Sequence, residues 1–579
     1  MDRTLPSRRS RLLTALALAA ITFLVLAPVL RCDFTTFDDA DYVTANPHVQ
    51  EGISLDSTLW AFTTFEHANW HPLTWLSLQL DFEINGKNPF GFHLTNLLLH
   101  SLTTSLLYLA LLNLTGQPIA SALAALLFGI HPLHVESVAW ITERKDTLST
   151  FFLVAALLSY ARAAAQGRPW SRSIVTLLFA MSLLSKSMGV TFPLLLILLD
   201  VWPLRREPQA GPTRLFKLTL EKWPLFLLSL GSGVMTIVAQ SSGGAVRAFR
   251  HSGLAERLAN ALHSYTVYLR QMVWPRDLVV LTPFERRSLL SPAVLAATAV
   301  LVVITLLAIR LRIRRPHLLT GWLWYLGTLL PVIGILSVGE HDHANRYTYF
   351  PLVGLFLALG CELEQAWRRW SAAGRTVLVC AGCVLLGALI LQTRAQCAVW
   401  KNGETLWLHA LERTRPTTTA VFGLASYYRN TRNPHEAARL FEKVLILDPT
   451  HGQARANLAW SRLLIGDLEG ADRQFALVLP RTPASEHEAY QLGLEATASN
   501  QPGLAAAYFT HVLVRQPANA GAHLYLGMEL LKYDQPVAAL RHFEEARRLS
   551  PEIVNVSGYR DAVSAAKAAE RARQFAPTR

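Results

Sequence analysis

Four prolines towards the end of the chain, Pro449, Pro483, Pro517 and Pro551, follow one another at a spacing of 34 residues. Upstream of each proline, an alanine is followed four residues later by a phenylalanine in the same register: Ala437 and Phe441, Ala471 and Phe475, Ala505 and Phe509, and Ala539 and Phe543. Repeats of this length usually consist of two helices joined by a turn, and they stack because one unit alone cannot bury its apolar face. The spacing therefore predicts an α-solenoid.

The spacing is that of the tetratricopeptide repeat. Aligned on the prolines, the repeat units are 417–450, 451–484, 485–518 and 519–552. We therefore predict a tetratricopeptide-repeat domain over residues 400–579. A curved stack of such helix pairs can hold an extended peptide or dock a partner protein.

The part of the chain before residue 400 has the composition of a membrane protein. The whole chain is 51% hydrophobic and only 16% charged, whereas a soluble domain usually has about 25% charged residues. A membrane-spanning helix needs about 20 mostly apolar residues, and eleven stretches are candidates: 12–30, 94–112, 119–132, 148–163, 172–185, 188–204, 223–240, 291–309, 318–338, 347–365 and 376–394. The sequence predicts an all-α protein, with a polytopic membrane bundle over 1–399 followed by the solenoid.

The basic residues predict the orientation of these spans. They cluster in short turns near 162–172, 205–217, 310–315 and 368–375, as the positive-inside rule expects of cytoplasmic segments. We therefore place the basic N-terminus in the cytoplasm as an uncleaved anchor and the repeats on the outer face. The stretch 258–281 is interpreted as an interfacial or re-entrant helix. The net charge of +13 is explained by these turns, so the bilayer rather than nucleic acid is the predicted partner.

Polar and ionisable residues gather in four segments that share the outer face in this topology. The long loop 31–93 contains an acidic doublet, and the other segments add histidines, acids and cations: Asp38, Asp39, His71, His131, His134, Glu136, Arg144, Lys145, Lys186, His343 and Arg346. Ionisable groups at membrane depth usually mark a functional path. A carboxylate can take a proton from an acceptor hydroxyl, while arginine and lysine can stabilise a phosphate leaving group.

Each of these residues also has a structural interpretation. The acidic doublet is compatible with a helix cap or a solvated turn, and His71 and His131 each precede a proline, as residues between two elements often do. Lys186 could extend to the lipid headgroups. His131, His134 and Glu136 have donor atoms suited to a metal, but their spacing is not that of a helical zinc site. We predict no obligatory metal, and a divalent cation is left open.

Several motifs together resemble the transmembrane and tetratricopeptide repeat-containing proteins, which belong with the GT-C glycosyltransferases. They are FDDADY, NWHPLTWLS, NPFGFHLTNLLLHSL, HPLHVESVAWITERKDTLS, LLSKSMGVTFPLLLILLDVWP and NRYTYFPLVG. The resemblance implies inverting transfer of a sugar, most simply mannose, from a polyprenyl-phosphate donor to a protein or envelope acceptor on the non-cytoplasmic face. The short basic N-terminus suggests a bacterial member in the inner membrane.

The resemblance also implies roles for the candidate residues. Asp38 and Asp39 match the acidic position of the first outer loop, where GT-C enzymes have a base or a group that orients the acceptor, and Asp39 is slightly preferred. Arg346 and Lys186, with Arg144 or Lys145, are the candidates for the donor phosphate. The candidates for positioning sugar or acceptor are His71, His131, His134, Glu136 and His343, and the repeats would hold a protein or peptide acceptor.

Two other functions fit part of the sequence. A non-catalytic membrane scaffold would use its repeats to bind envelope proteins, and changes in the acidic loop would then be harmless. A transporter of lipid-linked glycans would be favoured by inverted repeats with polar residues at the midplane. The sequence shows no such repeats.

Overall fold

The computed structural model describes residues 6–165, 172–206, 212–242, 253–335 and 342–574. These ranges contain helices and loops and no extended strand, which confirms the all-helical prediction. The end of the predicted span 318–338 and parts of the first two basic turns lie outside the described residues. The chain divides into two compact units, Met1–Arg415 and Pro416–Arg579.

Six helical segments in the first unit are long and apolar enough to cross a membrane, among the residues that the structure describes: Arg8–Arg31, Pro89–Thr115, Ile141–Ala164, Trp223–Ser242, Pro292–Leu311 and Ala372–Val399. A seventh is counted if the pair Pro118–Ile130 and Pro132–Ala139, bent by 52°, forms one span. The remaining helices of this unit are shorter or more polar: Pro47–Gln50, Leu55–Thr63, Pro72–Asn85, Arg172–Ser185, Phe192–Val201, Pro212–Glu221, Leu254–Val273, Pro316–Leu329, Leu352–Arg369 and Gly403–Arg413. The chain therefore has several apolar helices, and the count of eleven spans stays a prediction.

The core of the first unit lies between its long helices. Leu107, Leu111, Phe128 and Leu157 have no exposed surface, because helix Pro89–Thr115 packs against Pro118–Ile130 and Arg144–Ala165.

Helices Pro316–Leu329 and Leu352–Arg369 approach each other closely at a pair of glycines. A Cβ atom on Gly354 would lie 2.6 Å from the carbonyl oxygen of Gly321. Small residues allow this backbone contact, as they do between membrane helices in general.

The helix Leu254–Val273 covers most of the stretch interpreted as interfacial or re-entrant. One of its faces packs in the core, where Ala261, Tyr265 and Tyr268 are buried, while Leu254 at its first position is 58% exposed. The interpretation of 258–281 stays a prediction.

The long loop after the first apolar segment is folded rather than extended. Its three helices begin at favourable residues: Asn46 and Ser54 cap two of them through their side chains, and Pro72 starts the third. The beginning of the loop is fixed to the end of the last apolar helix, because the Asp33 backbone N–H donates to the Lys401 carbonyl at 2.8 Å. This arrangement holds the acidic doublet in a fixed place.

The second unit consists of consecutive helix pairs, one in each predicted repeat. They are Thr418–Asn430 with Pro434–Leu447, Gly452–Ile465 with Leu468–Phe475, Glu486–Ala498 with Pro502–Arg515, and Ala520–Lys532 with Pro536–Leu549, followed by Tyr559–Gln574. The repeated alanines and phenylalanines are all buried. A Cβ on Gly527 would approach the Phe543 ring to 2.6 Å, so a glycine in the first helix makes room for the phenylalanine of the second. The solenoid assignment and its domain limits stay predictions.

Candidate functional site

The two members of the acidic doublet have different surroundings. Asp39 is fully buried, and its carboxylate accepts four hydrogen bonds. One oxygen accepts from the backbone N–H and hydroxyl of Thr35 at 2.8 and 3.0 Å, and the other accepts from the N–H and hydroxyl of Thr142 at 3.1 and 2.7 Å. Asp39 therefore joins the loop 31–93 to the segment that carries Glu143 and Lys145.

Asp38 faces a cavity instead. The cavity has a volume of about 600 Å³, and its described lining is polar: Asp38, Tyr42, Phe65, Glu66, His67, Ala68, Asn69, Lys145 and Ser242. Among the described residues, no side chain or backbone group is recorded as a hydrogen-bond donor to the Asp38 carboxylate. Asp38 is thus the member of the doublet whose oxygens can reach a bound molecule.

Burial raises the pKa of both carboxyl groups. It raises the pKa of Asp38 to about 6, against the opposing effect of the nearby Lys145 cation. Burial also raises the pKa of Asp39, although the hydrogen bonds from Thr35 and Thr142 act in the opposite direction. A pKa of about 6 leaves Asp38 ionised at neutral pH and basic enough to accept a proton.

Lys145 lies on the wall of this cavity between two aromatic rings. Its Nζ atom is 5.1 Å from the centre of the Tyr42 ring and 5.9 Å from that of Trp140. Trp140 also stacks on Phe37 at 4.8 Å. Aromatic faces stabilise a cation without neutralising it, so Lys145 keeps its charge available to an anion.

Next to Lys145 is a cluster of buried charges centred on Glu143. One Glu143 oxygen is 3.4 Å from Lys145 Nζ and 3.3 Å from Arg346 Nε, and the other is 2.9 Å from Lys186 Nζ. Lys186 also contacts Asp146 at 2.7 Å. Three of the cations predicted from the sequence, Lys145, Lys186 and Arg346, therefore lie around one carboxylate.

Glu136 is part of the same network. Its two oxygens accept hydrogen bonds from Arg346 at 2.7 Å and from the Asn345 amide at 3.0 Å. Glu136 therefore fixes the side chain of Arg346.

Arg144 lies apart from this cluster. Its side chain is fully buried and donates to Ser77 at 2.6 Å, to Asp81 at 2.6 Å and to the Phe92 carbonyl at 2.8 Å, with a further bond to Asn96. With its donors used inside the protein, Arg144 is placed as a structural bridge. Of the alternatives Arg144 and Lys145, the geometry favours Lys145 as a phosphate ligand.

The predicted histidines lie in different environments. His71 is buried beside Tyr42 and Trp75, with ring centres 5.8 and 5.0 Å apart, and burial together with Lys145 and Lys186 holds its pKa well below the usual range. Its Nε2 atom has no hydrogen-bond partner among the described residues. A neutral His71 next to these cations can still donate to, or accept from, a bound molecule.

His131, His134 and His343 have internal partners. His131 contacts the Met272 carbonyl through Nε2 at 2.9 Å and accepts from the Leu133 N–H through Nδ1 at 3.3 Å. His134 Nδ1 contacts the Phe128 carbonyl at 2.7 Å, and His343 Nδ1 is 3.7 Å from Asp342. These contacts favour structural roles for His131 and His134.

The sequence alone assigned no role to Glu143, Asp146, Tyr42 or Trp140. Glu143 and Asp146 occur in the quoted motif ITERKDTLS beside two predicted cations, and this alternation of charges was the available signal. The aromatic pair could not be found in this way, because Tyr42 and Trp140 are distant in sequence and meet only at Lys145. Within the described ranges, no group of three potential metal ligands is present, and the need for a metal stays open to experiment.

The first unit is thus an all-helical bundle with several membrane-length apolar helices and a buried, ion-paired polar site. Residues 69–209 match the family model described as dolichyl-phosphate-mannose-protein mannosyltransferase. This range includes His71, Glu136, Glu143, Lys145 and Lys186, and it leaves out the acidic doublet and Arg346.

Curated relatives extend the match. The chain is 24% identical to the human protein O-mannosyl-transferase TMTC1 over 520 residues, which cover 79% of this chain and 58% of the relative. It is 33% identical to protein O-mannosyl-transferase Tmtc1 of Drosophila melanogaster over 198 residues, or 33% of this chain and 23% of the relative. The chain thus matches less than two thirds of the length of these relatives. The chain is therefore similar to protein O-mannosyl-transferases over these ranges.

Proposed function

We propose that the protein is an integral-membrane glycosyltransferase that moves a sugar from a polyprenyl-phosphate donor to a protein or envelope acceptor. Mannose is the sugar we favour. The observation that carries this proposal is the placement of Asp38. Its carboxylate has no described hydrogen-bond donor, faces a polar cavity of about 600 Å³ and shares the wall of that cavity with Lys145. Lys145 in turn adjoins Lys186 and Arg346 through Glu143. A base and a group of cations are thus placed side by side.

The placement of Asp38 beside the three cations suggests the following reaction. The Asp38 carboxylate accepts the proton of an acceptor hydroxyl, and the hydroxyl oxygen forms a bond to the anomeric carbon of the donor sugar. The bond between that carbon and the phosphate oxygen breaks, and its electron pair stays on the polyprenyl phosphate. Attack opposite to the leaving group inverts the anomeric centre. Lys145, Lys186 and Arg346 stabilise the charge that develops on the phosphate.

A small cavity of about 30 Å³ lies beside Lys186. Its walls combine Lys186 and Asp146 with apolar side chains: Leu153, Met188, Phe192, Phe350 and Pro351. Because a monophosphate can be held by lysine and arginine alone, the proposed reaction needs no metal.

The remaining parts of the proposal concern location and acceptor. The site lies on the non-cytoplasmic side of a bacterial inner membrane, the N-terminus is cytoplasmic and the helix pairs of the second unit hold the protein acceptor. The relatives are named protein O-mannosyl-transferases, which supports a protein acceptor.

The test uses purified protein in detergent with radiolabelled polyprenyl-phosphate-mannose, and with glucose and pentose donors if mannose is not used. We expect sugar release that Asp38→Asn abolishes and that a chelator leaves unchanged. Asp41→Asn is the matched control, because Asp41 is a nearby exposed acid. Equal turnover in Asp38→Asn and the wild type would reject the proposed chemistry.

A further inference from the structure

Glu143 is the point at which the three proposed phosphate ligands meet. Its side chain is 2% exposed, and its oxygens lie 3.4 Å from Lys145, 3.3 Å from Arg346 and 2.9 Å from Lys186. Among the described residues, its recorded partners are ionisable side chains, and no backbone amide donates to it. This differs from Asp39, whose bonds join two backbone segments.

A carboxylate in this position makes the same contacts that a phosphate would make. Both groups present oxygen atoms to lysine and arginine, and charge-assisted hydrogen bonds hold either one. Three acids, Glu136, Glu143 and Asp146, contact the three cations of the cluster. Donor and product differ in charge: a phosphodiester carries one negative charge, whereas a phosphate monoester carries about 1.5–2 at neutral pH.

We propose that Glu143 is an internal counter-anion that positions Lys145, Lys186 and Arg346 and limits their affinity for the polyprenyl phosphate product. This inference rests on the proposed function. Glu143 holds the cations together before the donor binds, and its negative charge opposes the product more strongly than the donor because the product is more highly charged. Glu143 therefore acts through the cations as a positioning residue and favours product release.

Glu143→Gln tests the inference, because glutamine keeps the size of the side chain and removes its charge. The repulsion between a carboxylate and a phosphate a few ångströms apart is strong at the intermediate dielectric of such a site. We expect decaprenyl phosphate to bind about tenfold more tightly, with a smaller decrease in the KM of the donor and a lower kcat limited by product release. Glu143→Asp, which keeps the charge, should bind the product within about twofold of the wild type, since the charge balance is unchanged.

The assays are product inhibition by decaprenyl phosphate and direct binding of the same lipid to the purified full-length protein. Unchanged or weaker product binding in a folded Glu143→Gln protein would overturn the inference. If that variant does not fold, Asp146→Asn, which releases Lys186 alone, should tighten product binding by a smaller factor, and no tightening would again overturn it. A wild-type protein that neither uses the donor nor binds decaprenyl phosphate would instead refute the proposed function.

Discussion

The acidic doublet provides a direct test, because substitution of each member should impair a different property. In Asp38→Asn, the fold loses no recorded hydrogen bond, and the cavity loses its carboxylate. Removing a general base usually costs about 10²–10⁴-fold in rate, so we expect turnover to fall by that factor. The melting temperature should not decrease, because the substitution removes a charge that is unfavourably buried.

Asp39→Asn should lower stability. An asparagine has one acceptor oxygen, so the two donors of either Thr35 or Thr142 would face an NH₂ group that cannot accept from them. Lost hydrogen bonds to a charged group contribute about 1.5–3 kcal/mol each, and partial relaxation brings the expected loss to about 3 kcal/mol. Turnover at low temperature should fall less than in Asp38→Asn.

The two variants are compared by sugar release from the radiolabelled donor and by thermal unfolding in the same detergent. If Asp38→Asn turned over at the wild-type rate while a well-folded Asp39→Asn did not, the roles argued from their hydrogen bonds would be refuted. The doublet would then act through Asp39, as the sequence resemblance alone preferred.

The pH dependence provides an independent check of the same base. Because burial raises the pKa of Asp38 to about 6, kcat/KM should rise with pH through about 6 and level off above it. The sign for stability is opposite. A raised pKa means that the folded state favours the protonated acid, so the contribution of Asp38 to stability is present below its ordinary value of 3.8 and is lost as the pH rises through about 6. The acidic limb of the rate profile should disappear in the residual activity of Asp38→Asn.

Three further outcomes are expected. Arg346→Ala should raise the KM of the donor more than that of the acceptor, and equal losses would indicate a folding defect instead. Arg144→Met should destabilise the first unit by about 3–5 kcal/mol, because it leaves the Asp81 carboxylate buried and unpaired, and an unchanged melting temperature would contradict the structural role of Arg144. A reporter fused after residue 400 should register on the outer face, and a cytoplasmic signal would refute the predicted topology.

More of the fold than of the candidate site could be predicted from the sequence. The spacing of Pro449, Pro483, Pro517 and Pro551 and the composition before residue 400 are local properties, and they indicated helices that the structure contains. Which cation faces which acid is set by contacts between distant segments. Thr142 and Asp39 are far apart in sequence, and nothing in either segment indicates that they meet.

The sequence also could not assign different roles to adjacent residues of the same charge, because those roles depend on contacts with distant segments. Arg144 and Lys145 are neighbours on one helix, yet Arg144 contacts Asp81 while Lys145 lies against Tyr42 and Trp140. Consecutive helical residues point about 100° apart because a turn contains 3.6 residues. The direction of each side chain follows from the packing of the helix, which a single sequence does not give.

The connection between the two acids explains how the proposed site can be both rigid and reactive. Asp39 joins the loop 31–93 to Thr142, directly before Glu143. Asp38 is the preceding residue, so the same contact that anchors Asp39 fixes the backbone of the base relative to the cation cluster. A base and a leaving-group site held at a fixed separation lower the entropic cost of reaching the transition state. The two acids therefore have different roles: Asp39 positions the backbone, and Asp38 acts as the base.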